Sequence, residues 1–322
     1  MLHTQLCDLF NITHPIIQAS LGPWSSVDLA AAVSNAGGLG SLGTAMLSAG
    51  KLKRDLARMR DLTDLPFVIN HTARPFDEEL FALTLAARPP IISYALGDPG
   101  ELVARAHAAG ILFMQQVHSV RQAVQAAERG VDVIIAQGSE AGGFGGVVGT
   151  MALAPQVVDA VSPLPVVVAG GIADGRGLAA ALLLGAQGVN IGTRFLASTE
   201  AAIGDDWKLA ILTAQSEEAI KVEFADEVFP PAGRRGYATL PRVLRTSFVE
   251  QWNGRRDTVQ RESERISREL LGAVREGRGH ELVPFTGQTA GLIHDVAPAD
   301  EIVHRIVAEA EEALRQASGL LA

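Results

Sequence analysis

Residues 164–194 read LPVVVAGGIADGRGLAAALLLGAQGVNIGTR, and the fold turns on how this stretch is parsed. A continuous apolar run, Leu164–Ala169, stops at Gly170-Gly171. A helical segment, Arg176–Leu184, follows and stops at Gly185. A second apolar run, Gly188–Ile191, ends in Gly192-Thr193-Arg194. Runs that are continuous rather than alternating are expected of parallel strands whose outer face is covered by helices.

The same unit recurs upstream. Apolar runs lie at His14–Ala19, Leu39–Leu42, Pro66–Asn70, Pro90–Ala95, Ile111–Gln116 and Asp132–Gln137, which makes eight with the two above. Ser25 or Ser26 can cap a first helix through Leu29–Ala36 that stops at Gly37-Gly38. Further helices fit Lys51–Arg60, Asp77–Ala87, Gly100–Ala109, Val120–Arg129 and Pro155–Val161, and Gly110 and Gly130 follow two of them. Eight strand–helix alternations within about 200 residues predict an α/β chain folded as a closed (β/α)8 TIM barrel. An open doubly wound sheet shares the alternation, but no strand here is followed by a GxGxxG fingerprint with an acidic residue about 20 positions on.

The rhythm breaks after Thr199. Residues up to Pro284 are more charged and read as mostly helical, with a loop around Phe229–Gly236 (PPAGRRG). Arg255, Arg256, Asp257, Arg261, Glu262, Glu264 and Arg265 read as a solvated helix face. The predicted organisation is a barrel from 1–200 plus 285–322, with 201–284 as a helical inserted subdomain. In Pro298–Leu320, residues Ile302, Ile306, Val307, Ala310 and Leu314 share a stripe, which predicts a helix packed back on the barrel.

Composition narrows the function. The chain has 322 residues, a net charge of -9 and 27 Lys plus Arg, without the basic stripe that a phosphate backbone needs. Nucleic acid is not expected as a partner. No apolar run approaches the roughly 20 residues of a membrane span, and Met1–Asn11 carries no secretory pattern. Cys7, the only cysteine, reads as a small buried apolar residue; its solitude fits a reducing cytoplasm. An excursion outside the barrel is compatible with a homodimer.

Barrel active sites sit at the carboxyl ends of the strands. The four lysines, Lys51, Lys53, Lys208 and Lys221, all lie elsewhere, so Schiff-base chemistry is not expected. Glu140 is the one carboxylate at a strand end, and no metal cluster is expected. Glycine dominates instead. Ala169-Gly170-Gly171 ends the seventh run and Gly192-Thr193 the eighth, where N–H groups converge and a phosphate is usually held. The loop Gln137–Gly146 is glycine-rich and can pass close to a flat ring.

The runs HPIIQAS, NAGGLGSL, FVINHT, QGSEAGG, VVVAGGIADGRGL and NIGTRFL, in that order, resemble the nitronate monooxygenase family, formerly the 2-nitropropane dioxygenases. That family also includes FMN-dependent quinone reductases and enoyl-acyl-carrier-protein reductases. The resemblance covers residues 1–200 well and the excursion loosely. It implies an FMN barrel with the flavin phosphate on Gly171, Gly192 and Thr193. Gln18, Ala19 and Asn70 would lie beside the isoalloxazine, and Gln116 would stand where some relatives have a lysine. Gln137, Gly142 and Gly143 would line its other side. The bland readings are polar plugs for Asn70 and Gln116 and a backbone-bonded lid residue for Glu140.

The chain departs from the family at one position. The family's strand-six motif usually reads QGxEAGGH, with the histidine credited as base or acid; here that position is Phe144. Phenylalanine can neither take nor give a proton. His118, two residues beyond Gln116, would share its face if the strand stays extended, and is the substitute candidate; His71 would point away. The leading expectation is oxidation of a small-molecule alkyl nitronate with O2. The alternatives are an NAD(P)H:quinone or enoyl reductase, with NAD(P)H as reductant, and a flavin-binding protein with little turnover. Substrate choice would lie in Leu42–Ala45, Arg74–Phe76, Phe144 and the excursion.

Overall fold

In this computed structural model, residues 2–229 and 236–321 are described. Eleven strands occur among them: β1 (Ile16–Gln18), β2 (Gly40–Gly43), β3 (Phe67–Thr72), β4 (Ile91–Ala95), β5 (Leu112–Val117), β6 (Val133–Gln137), β7 (Gly143–Gly145), β8 (Val166–Ala169), β9 (Gly188–Ile191), β10 (Ala219–Lys221) and β11 (Leu240–Leu244). Eight of them form one parallel sheet in the order β1-β9-β8-β6-β5-β4-β3-β2. A parallel bridge between Ile17 and Leu39 brings the two edges together, with Gln18 N donating to Leu39 O at 2.9 Å and Leu39 N to Ile16 O at 2.9 Å. The result is the (β/α)8 barrel that the apolar runs predict.

Side chains fill its interior. Ile17, Val68, Met114, Ile135 and Ala169 share a core cluster with Leu6, Cys7 and Phe10 of the helix Gln5–Phe10. Cys7 is 1% exposed and is packed as a small apolar residue. Outside the strands, helices pack their apolar faces inward. Ser26 is the cap of the first of these, accepting from Leu29 N at 3.2 Å; Ser25 instead accepts from Gly43 N at 2.8 Å. The last helix, Ala299–Ser318, buries Ile302, Ile306, Val307 and Ala310. It lies so tightly on the helix Gly175–Leu183 that a Cβ on Gly175 would sit 2.3 Å from Ala310 N.

Two local expectations need correction. The helix expected from Pro155 begins at Thr150, with Pro155 inside it. A proline invites placement at the first helical position. The true start is supported from a distance: Thr150 N donates to both carboxylate oxygens of Glu140, at 2.9 and 3.0 Å. The second correction concerns the excursion, which is not helical throughout. β10 and β11 pair antiparallel, and β11 pairs in turn with β7 from the glycine-rich loop after β6. Gly143-Phe144-Gly145 has no strand propensity of its own, and its partner lies about a hundred residues away, so only the tertiary fold makes it a strand. Residues 230–235, the middle of the loop expected at Phe229–Gly236, lie outside the described residues. Ser198 and Ala297 form a parallel bridge, so the chain leaves and rejoins the barrel at one place.

Gly40 tests this packing. A Cβ there would lie 1.9 Å from Ala30 O, inside the helix Val27–Asn35. Gly40→Ala must push that helix off β2 and is expected to cost at least about 2 kcal/mol, read from chemical denaturation. An unchanged midpoint would contradict the contact.

Candidate functional site

A cavity of about 270 Å³ opens at the carboxyl ends of the barrel strands. Its wall takes in Gln18, Ala19, Asn70, Gln116, Gln137, Gly142, Gly143, Phe144, Ala169, Gly170, Gly171, Gly192 and Thr193. The barrel therefore brings together thirteen of the residues singled out from sequence. His118 is absent from that wall among the described residues.

The pole at β8 and β9 is built from backbone. Gly170 and Gly171 both hold positive φ, +89° and +76°, which turns the chain sharply after Ala169. The N–H groups of Gly171, Gly192 and Thr193 go to no backbone or side-chain acceptor among the described residues. Thr193 Oγ1 accepts from Gly287 N at 2.9 Å, leaving its hydroxyl hydrogen to donate. Gly287 closes the pole from above: a Cβ on it would meet Gly142 N at 2.9 Å and Thr193 Oγ1 at 3.1 Å. Converging donors with no acceptor suit a phosphate. The N-terminus of the helix after the Gly170-Gly171 turn is already capped, because Asp174 accepts from Arg176 N and Gly177 N. The unpaired N–H groups of Gly171, Gly192 and Thr193 remain as the donors open to an anion.

Amide side chains ring the interior. Gln18, 1% exposed, accepts from Ser41 N at 2.8 Å and donates to Ala19 O. Asn70 Nδ2 donates to Ser93 Oγ at 2.8 Å, and Gln116 Nε2 to Gln137 Oε1 at 3.1 Å. Asn190 adds a residue that the sequence reading passed over: its Oδ1, on the cavity wall, is buried and without a partner among the described residues. An amide inside the otherwise apolar run GVNI was the available signal, since a polar side chain in a parallel strand must face a polar partner.

The outer half is aromatic. Trp24 meets Trp207 edge-on at 5.0 Å and Phe285 at 5.6 Å, and Phe144 meets Phe229 at 5.3 Å and Phe285 at 5.6 Å. Trp207 and Phe229 come from the excursion, and Trp207 Nε1 donates to Thr286 Oγ1 at 3.0 Å. No local periodicity joins these residues, so sequence spacing could not assemble them.

The rim's acid and bases are committed elsewhere. Glu140 is taken by Thr150, whose hydroxyl also donates to it at 2.8 Å. His71 points outward, its ring nitrogens 3.2 Å from Thr44 Oγ1 and 2.9 Å from Thr84 Oγ1, and burial pushes its pKa down to about 3. His118 departs from its expected face because extension ends at Val117. The next residue but one, Ser119, caps the following helix, and His118 N donates to Gln122 Oε1 at 2.7 Å. The ring lies behind the loop, edge-on to Tyr237 at 6.2 Å, with neither nitrogen in a hydrogen bond of normal geometry. Burial, and then the charge of Lys221, lower its pKa to about 4. Among the described residues no group of three His, Cys, Asp or Glu could hold a metal ion, and no helix is long and apolar enough to cross a membrane.

His118 gives a pH test. A folded pKa near 4 against 6.5 for the unfolded chain means that the unfolded state binds the proton first as pH falls. The stability lost starts below pH 6.5 and is complete near pH 4. Between pH 7 and pH 5, His118 should remove roughly 2 kcal/mol. His118→Phe should shrink that difference in denaturant midpoint; an unchanged difference would contradict a neutral buried ring.

Comparison with known proteins adds the following. A protein-family model described as nitronate monooxygenase matches residues 3–79 and 71–309. A Rhodococcus jostii protein described as (3aS,4S,5R,7aS)-5-hydroxy-7a-methyl-1-oxo-octahydro-1H-indene-4-carboxyl-CoA dehydrogenase is 31% identical, over 96% of each chain. A probable nitronate monooxygenase of Staphylococcus saprophyticus is 30% identical, over 98% of this chain and 99% of that one. Among solved structures, FabK from Thermotoga maritima superposes with a TM-score of 0.90 at 31% identity, over 99% of this chain and all of that one.

Proposed function

This chain belongs to the nitronate monooxygenase family of oxidoreductases, and on that premise we propose that it is an FMN-dependent enzyme oxidising alkyl nitronates with O2. The residues present fit the cofactor. Gly171, Gly192 and Thr193 would hold its phosphate with N–H groups that have no other acceptor. Asn190 Oδ1, otherwise orphaned, would take a flavin N–H or O–H. Ala19, Ala169, Gly142 and Gly143 leave room for a flat ring, and Gln18, Asn70, Gln116 and Gln137 surround it with fixed amides. FMN, when bound, supplies the electron acceptor for the substrate and passes electrons on to O2.

One observation carries the choice of substrate. No carboxylate, histidine or lysine lines the cavity among the described residues. A neutral nitroalkane has to lose a proton from carbon before it can be oxidised, and nothing here takes that proton. A nitronate has already lost it. Phe144, where relatives of this family carry histidine, serves the chain as part of the aromatic wall. A second reading, hydride exchange between NAD(P)H and a quinone or thioester substrate on the same flavin, is favoured by the relative described as a carboxyl-CoA dehydrogenase.

Oxygen uptake by the flavin-loaded protein separates them. Propyl nitronate is expected to exceed 1-nitropropane by at least about 100-fold in kcat/KM, the usual worth of a general base. Equal rates would contradict the reading, and turnover of NADH with a quinone but not of nitronate would favour the second. Thr193→Val should weaken FMN binding about tenfold and Thr193→Ser far less, measured by fluorescence titration, if the hydroxyl donates to the phosphate. Equal affinities in all three proteins would contradict that donation.

A further inference from the structure

Arg74 is the one charged side chain among the described residues that line the cavity. It follows β3, and its side chain is only 6% exposed. The guanidinium carbon lies over the Phe144 ring, 4.9 Å from its centre. Nη2 donates to Asp226 Oδ1 at 2.9 Å, but Asp226 is 60% exposed and belongs to the excursion. Nε and Nη1 are buried and have no partner among the described residues.

This is poor compensation for a buried charge. A single contact to a solvated carboxylate contributes little, and buried donors in native proteins are almost always paired. The Phe144 face holds the cation in place without consuming any of its hydrogens. Three N–H hydrogens, one on Nε and two on Nη1, therefore await an acceptor. The phosphate pole does not provide one. Arg74 stands at the end of β3, and β3 and β8 lie opposite each other in the eight-strand ring, four positions apart either way.

We propose that Arg74 is the anion-recognition residue of this cavity. It selects small organic substrates whose negative charge is spread over a planar two-oxygen group, as in a nitronate or a carboxylate. The match is chemical: a guanidinium fork complements two coplanar oxygens, and the aromatic outer wall suits a hydrocarbon tail. Asp226 holds the guanidinium through Nη2 and competes with the incoming anion. The identity of the anion rests on the nitronate reading; the existence of the anion site does not.

Butyrate tests this without turnover. It is titrated into the flavin-loaded protein, with the neutral isostere butyramide as control, and binding is read from the perturbed flavin absorption. Wild type is expected to prefer butyrate to butyramide at least tenfold. Arg74→Gln should lose at least tenfold in butyrate affinity with butyramide and FMN binding unchanged, and Arg74→Lys should lie between. Asp226→Asn should tighten butyrate binding severalfold, because the competing carboxylate is gone. Butyrate binding that is equal in wild type and Arg74→Gln, or a wild type indifferent to charge, would overturn the proposal. Butyrate binding through Arg74 in a protein that fails to oxidise nitronates would uphold it and remove only the nitronate reading.

Discussion

A closed ring of parallel strands pairs every backbone group along its length and none beyond its carboxyl ends. That constraint governs the whole upper face of this protein. Where β8 and β9 run out, Gly170-Gly171 and Gly192-Thr193 turn away, and the N–H groups of Gly171, Gly192 and Thr193 find no acceptor among the described residues. Residues bearing side chains could not make the same turn, since the positive φ values of the first pair strain any Cβ. The donor cluster is thus a by-product of closure that glycine keeps open. Closure depends in turn on the Ile17–Leu39 bridge and on β2 lying hard against the helix before it.

What the excursion adds is a roof. By pairing β11 with β7 it pins the glycine-rich loop, which would otherwise be free, and fixes Phe144 in the wall. Trp207 and Phe229 close the aromatic side, and Asp226 reaches the barrel at Arg74. The barrel supplies hydrogen-bond donors and amides; the excursion supplies exclusion of water, in which every remaining charge counts for more. Arg74 and Phe144 then read as one unit, a cation seated on a ring, at the place where the family's histidine would have stood.

The barrel was legible because parallel strands advertise themselves: Val166–Ala169 is apolar throughout and runs into glycine, and Val133–Gln137 and Gly188–Ile191, apolar but for one amide each, also run into glycine. The glycine turns after β8 and β9 followed from strand order and glycine placement. Three things were not legible, each for a physical reason. Gly143-Phe144-Gly145 becomes a strand only through a partner from the excursion, so local propensity carried no signal. His118 was placed by assuming continued extension, whereas the Ser119 cap bends the chain one residue earlier. Arg74 and Asp226 are 152 positions apart, and nothing in the spacing of either announces the pair. Asn190 was readable and was missed, as the polar exception in an apolar strand.

We propose that the ends of β8 and β9 hold a phosphate that belongs to a flavin. Riboflavin differs from FMN by that phosphate alone, so the ratio of their dissociation constants measures the pole directly. With about three charge-assisted hydrogen bonds at stake, the account predicts FMN binding at least 100-fold tighter than riboflavin. Equal affinities, or a protein that binds neither, would contradict it.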